Sequence, residues 1–118
     1  MEFFKVLIER DLKIDQHMND ILQYRQFKPI QIYDDLWISI QASSAHSSTP
    51  RANLKDLNEY THWEFGLFNK YRFLTVREVL PTFPSLVEIE YYYDRAYEYV
   101  PTDLVEEFYK ALKPNRDH

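Results

Sequence analysis

The stretch Leu36–Arg51, LWISIQASSAHSSTPR, decides how the rest of this chain is read. Its first half alternates: Leu36, Ile38, Ile40 and Ala42 fall on one face, and Trp37, Ser39 and Gln41 on the other. A period of two belongs to a half-buried β-strand. From Ser43 to Arg51 the alternation stops, and the composition is that of a polar loop. The strand thus delivers a loop holding four serines, a threonine, a histidine and an arginine.

Upstream, Pro29 fits a strand start, and Ile30 and Ile32 alternate with Gln31 and Tyr33. A two-residue loop at Asp34-Asp35 would pair Ile32 with Trp37. A three-residue loop, Tyr33 to Asp35, pairs Ile32 with Leu36 and Ile30 with Ile38. The second register is expected because it keeps all four apolar residues on one face. It places Asp35 near the left-handed conformation, which Asp tolerates. Further upstream, Phe3, Leu7, Ile14, Met18 and Ile21 recur at helical spacing. This predicts an N-terminal helix, clearest over Asp11 to Tyr24, with Phe3 to Ile8 ambiguous between helix and edge strand.

Downstream, Asn53 is placed to cap a short helix bearing Leu54, Leu57 and Tyr60. His62 to Phe68 alternates as a strand with Trp63, Phe65 and Leu67 on one face. A turn at Asn69-Lys70 would set Phe73 opposite Gly66, where a ring can cover the bare glycine, with Leu74 opposite Phe65 and Val76 opposite Trp63. Val87 to Tyr93 alternates again, Asp94-Arg95 turns, and Ala96 to Val100 returns. Thr102 is placed to cap a closing helix to about Lys113, with Leu104, Val105, Phe108 and Leu112 as its buried stripe. Pro114 should stop it and leave a frayed tail over 113–118. The expectation is a single α+β domain over 1–118. A mostly antiparallel sheet of four to six strands packs against an N-terminal and a C-terminal helix.

The composition narrows the function classes. With 118 residues, 45% apolar and 17% aromatic, the chain can build one packed core. Nineteen acidic against fourteen basic residues give a net charge of −5. That balance lacks the basic footprint of a nucleic-acid binder, so direct nucleic-acid binding is not expected. The absence of cysteine excludes disulfides, thiolate zinc sites and cysteine nucleophiles. The single glycine, Gly66, excludes a P-loop and a dinucleotide-binding fingerprint. No apolar run approaches the roughly 20 residues that span a bilayer. The charges of MEFFKVLIERDLK do not suit a signal peptide. An intracellular, cytoplasmic protein with no membrane association is expected. His17, His46, His62 and His118 show no paired ligand spacing, so neither a metal site nor a cofactor is expected.

Two candidate sites remain. The first is the loop, with Gln41, Ser43, His46, Ser47, Thr49 and Arg51. Arginine offers a fork of donors for a carboxylate or phosphate, and a histidine titrates near neutrality. The plainer reading is a solvated loop with Arg51 pairing locally, and it carries more weight. A triad built from Ser47 and His46 lacks a nucleophile elbow, so no catalytic residue is assigned. The second candidate is EIEYYYDRAYEY, where Glu88, Glu90 and Tyr92 would share a strand face with Glu98 nearby. Spaced carboxylates and tyrosines suit a basic protein partner. The plainer reading there is a strand with a solvated outer face.

WISIQASSAHSSTPR, followed by EYTHWEFGLF and YEYVPTDLVEEFYKAL, resembles a set of small uncharacterised proteins from bacteriophage and prophage genomes. The likeness lies in the alternating strand, the QAS-type turn with a histidine, the Pro-Arg pair and the closing YVP helix, and covers about Ile30 to Leu112. It implies that Gln41, Ala42, Ser43, His46, Pro50 and Arg51 form the recurring motif, and it carries no activity. Ala45 and Ser47 stand where the family pattern often has an aromatic beside the histidine, which weighs against a stacked ligand. The resulting expectation is a small acidic, phage-related binding protein acting through a protein partner, as an inhibitor or modulator of a host system. The alternative is a small-molecule or nucleotide-binding protein, or an enzyme, using His46, Thr49 and Arg51. A homodimer through exposed edge strands is a third expectation.

Overall fold

The structure, a computed structural model, describes residues 1–9 and 25–116. The helix expected over Asp11–Tyr24 and the end of the tail lie outside these residues, as do His17 and His118. Among the described residues, five strands form one antiparallel sheet: β1 (Ile30–Tyr33), β2 (Leu36–Gln41), β3 (His62–Phe68), β4 (Phe73–Leu74) and β5 (Tyr97–Pro101). Two short helices, α1 (Val76–Val79) and α2 (Leu86–Glu90), join β4 to β5, and α3 (Thr102–Arg116) closes the chain. The α+β class read from the sequence is the class observed. β3 is central: β2 pairs with one of its edges, while β5 and β4 share the other in succession.

The alternation of β2 and β3 survives as burial. Leu36, Ile38 and Ile40 are buried on β2, and Trp63, Phe65 and Leu67 on β3. The stripe Leu104, Val105, Phe108 and Leu112 of α3 is buried as well. Phe65 lies between rings, with centroids 4.6 Å from Tyr97 and 5.4 Å from Phe108. Trp63 gathers Phe3 and Tyr60, each with its ring centroid at 5.1 Å. Fully burying one such ring stabilises the fold by about 1.5–3 kcal/mol.

Several local expectations are corrected. Ile30 does pair with Ile38, but Tyr33 pairs with Leu36, and a bulge between Gln31 and Tyr33 reconciles the two registers. The turn is therefore Asp34-Asp35, and Asp35 does not adopt a positive φ. Phe3–Val6 is a 3-10 turn rather than a strand. Its first N–H groups, of Glu2 and Phe3, donate to the Glu106 carboxylate at 2.8 and 3.1 Å. Burial pushes the Glu106 carboxyl up, but those two donors and Lys110 outweigh it and hold it below the ordinary range. Asp56, not Asn53, caps the 3-10 helix Leu57–Glu59.

The β3–β4 connection is four residues, Asn69 to Arg72, because the Asn69 side chain accepts from the N–H groups of Tyr71 and Arg72. Phe73 consequently pairs with Phe68, and Leu74 with Leu67, not with Gly66 and Phe65. Thr75 ends β4 by forming a capping box with Glu78, so Val76 opens a helix. The Thr102 hydroxyl donates to the Tyr60 carbonyl at 3.0 Å instead of capping α3. α3 also runs past Pro114 to Arg116.

Candidate functional site

The Ser43–Arg51 loop is tied down from several directions. At its root, the Gln41 side chain is buried and takes the place of a backbone strand. It accepts from the Phe27 N–H and donates to the Phe27 carbonyl, both at 2.8 Å. Arg25 donates to the carbonyls of Leu54 at 2.6 Å and Ala42 at 2.9 Å, clasping both ends of the loop. It also donates to the Tyr60 hydroxyl at 2.9 Å and lies over the Phe27 ring, 4.6 Å from its centroid. Tyr60 in turn donates to the Ala52 carbonyl and accepts from the Leu54 N–H. Nothing in the spacing of Arg25, Ala42, Leu54 and Tyr60 announces this clasp.

Within the loop the polar groups are largely used on one another. Ser43 is fully buried; its oxygen accepts from the Ala45 N–H and lies 2.6 Å from His46 Nδ1. Ser48, also buried, donates to the carbonyls of Ser43 and Pro50. Thr49 pairs through its backbone with Thr61 and His62, and the Thr49-Pro50 peptide is cis. Arg51 is exposed. Burial lowers the His46 pKa, with Glu64 opposing and Arg25 and Arg51 reinforcing, which favours the neutral ring. The serine at His46 is therefore Ser43 and not Ser47. With no exposed surface, Ser43 orients the imidazole and cannot reach a substrate carbonyl as a nucleophile.

Ser47 does something else. Its N–H donates to Glu64 at 3.1 Å and its hydroxyl to Glu98 at 2.7 Å. These two carboxylates meet because β5 bulges: Phe65 pairs with Tyr97 and Trp63 with Val100, so Glu98 and Tyr99 together face Glu64. Tyr99 takes φ 54°, and its N–H turns to the Ser47 carbonyl at 3.0 Å. Like charges opposed across strands repel, and the donors of Ser47 offset that repulsion. Glu98 thus belongs with the loop.

The acidic strand face does not form. Residues Leu86–Glu90 are the helix α2, with Leu86 and Ile89 buried and Val87 82% exposed. The run LVEIEYYY fits a period of two and a period of 3.6, and the core accepts the helical pair. Glu88 is exposed, whereas Glu90 forms a two-pronged pair with Arg77 at 2.8 and 2.9 Å. Tyr92 is half-buried against the core. The alternating strand expected to align Glu88, Glu90 and Tyr92 is thus absent from Leu86–Glu90.

A depression the sequence reading missed lies over Gly66, on the sheet's outer face. Ser39 pairs with Gly66, so two small residues leave a dimple between strands. It has a volume of about 200 Å³, with Phe73 and Tyr93 as aromatic walls and Glu64 and Arg95 as charged lining. A Cβ on Gly66 would meet nothing within 4 Å. Phe73, expected to cover the glycine, lines the dimple and remains 75% exposed. The signal in the sequence was the lone glycine at an outward position of an alternating strand.

Among the described residues, no group of three or more His, Asp or Glu side chains is placed to hold a metal ion. No described helix is long and apolar enough to cross a membrane. Comparison with family models, curated proteins and solved structures finds no match.

Proposed function

We propose that this chain is a small acidic binding protein that works in the cytoplasm through a protein partner. In this proposal it is kin to the phage and prophage proteins it resembles, and it inhibits or modulates a host system. The partner docks over Gly66, not on the Ser43–Arg51 loop. The observation that supports this most is Phe73, a ring 75% exposed at the wall of a depression whose floor lacks a side chain. Exposed aromatics beside a cleft are what interfaces use as anchoring points. The hydroxyls of Ser43, Ser47 and Ser48, by contrast, already have partners within the protein.

A second reading keeps a small-molecule or nucleotide site at His46, Thr49 and Arg51. Its support is that Arg51 is exposed and close enough for its charge to act on the His46 imidazole.

The two readings separate in one experiment. Tagged wild type, Gly66→Val and His46→Ala/Arg51→Ala are used to capture partners from bacterial lysate, read by mass spectrometry. Gly66→Val puts a branched side chain into the dimple, where a Cβ meets nothing within 4 Å. A partner held by wild type and the loop variant, and lost by Gly66→Val, is the expected result. A partner lost only by the loop variant moves the site to the loop. No partner for any form removes the protein-binding reading and calls for a nucleotide and metabolite thermal-shift screen.

A further inference from the structure

We infer that the depression over Gly66 receives a basic side chain, arginine or lysine, presented by the protein partner; this rests on the protein-binding reading above. Its size of about 200 Å³ suits one long side chain. Phe73 and Tyr93 offer ring surface to a cation, which is drawn to the negative face of an aromatic ring. The methylene stem of arginine or lysine can lie along Leu74 and Ala96, with its charged head free to reach polar groups.

The charge at the depression selects the sign of the occupant. Glu64 lines it, and Glu98 lies beside Glu64 across the β5 bulge, both tied to Ser47. Ser47 supplies neutral donors, so both negative charges remain. Arg95 is the cation of the lining, and Asp94 is its sequence neighbour. The local balance is acidic, and the chain as a whole carries −5, which steers a basic partner toward it. An acidic occupant would meet two carboxylates. An apolar one would strip water from Glu64 and Arg95 and offer neither a polar group in exchange, which costs free energy.

Gly66 provides its own reporter. It is the only glycine of the chain, so its amide signal stands alone in the glycine region of a 1H–15N correlation spectrum. Acetyl-arginine amide is titrated into the labelled protein, with acetyl-glutamate amide and acetyl-leucine amide as the comparison probes. The arginine probe should move the Gly66 signal saturably, and the other two should not. Glu64→Gln keeps an oxygen to accept the Ser47 N–H while removing the charge, and should weaken binding about threefold or more. Glu98→Gln is the second variant should Glu64→Gln unfold, and should act in the same direction. Arg95→Ala should tighten binding. A Gly66 signal that ignores the arginine probe, or that follows the glutamate probe, overturns the inference. So does binding tightened by Glu64→Gln. If lysate capture still depends on Gly66 while the arginine probe fails, the protein-binding reading stands and only the basic occupant falls.

Discussion

The Ser43–Arg51 loop is rich in polar side chains and has few to offer, while the outer face of β3 at Gly66 is poor in them and leaves aromatic surface open. In the loop, Ser43 serves His46, Ser47 serves Glu64 and Glu98, Ser48 serves two carbonyls, and Gln41 serves Phe27. At Gly66 the lining rings of Phe73 and Tyr93 remain 75% and 47% exposed. A cluster of hydroxyls, imidazole and guanidinium marks a site only where hydrogen-bonding capacity is left over. Otherwise it is the internal fastening of a loop that backbone pairing alone cannot hold.

The largest expected effect is at Arg25. If the loop is structural, Arg25→Ala should cost about 3 kcal/mol, because it orphans the carbonyls of Ala42 and Leu54 and removes a charged donor. Urea unfolding measures this, and a loss near zero would mean the clasp does not hold the loop. Gln41→Ala should cost about 2 kcal/mol, since the Phe27 N–H and carbonyl both lose their partner in a buried place.

His46 makes the stability of the loop depend on pH. Its folded pKa is lowered, chiefly by burial, so the unfolded chain takes up the proton first as pH falls. Stability from this group is therefore complete above the ordinary value of 6.5 and declines as pH drops below it. Denaturation midpoints at pH 7.5 and 5.5 should differ in that direction, and His46→Gln should flatten the difference. Glu106 adds its own loss at lower pH, because its folded pKa is depressed and its stabilising effect fades as it protonates. The smallest effect is at Gly66. Gly66→Val should raise stability by about 0.5–1 kcal/mol, as a β-branched residue replaces glycine in a strand with open space above it.

The parts of the fold legible in the sequence are those where one period excludes the other. His62 to Phe68 alternates without a competing helical stripe, and Leu104, Val105, Phe108 and Leu112 fit only a helix; both were readable. LVEIEYYY satisfies both periods, so only the core contacts of Leu86 and Ile89 decide it. The β3–β4 register turned on one side chain, Asn69, binding two N–H groups and lengthening the turn. The position of the candidate loop was legible too, but its role was not. Whether Ser43 or Ser47 meets His46 depends on where Glu64 and Glu98 converge, and that convergence is made by a bulge at Tyr99. The depression at Gly66 needed the pairing of Gly66 with Ser39, which the alternation of β2 and β3 permits but does not fix.

The most direct test is the affinity of a captured partner, measured by calorimetry against wild type, Gly66→Val and His46→Ala/Arg51→Ala. Gly66→Val, folded and no less stable, should lose at least about tenfold in affinity, as blocking an anchoring pocket does. The loop variant should stay within about threefold of wild type. Full affinity in Gly66→Val together with a large loss in the loop variant would contradict the placement of the site over Gly66 and return it to His46 and Arg51.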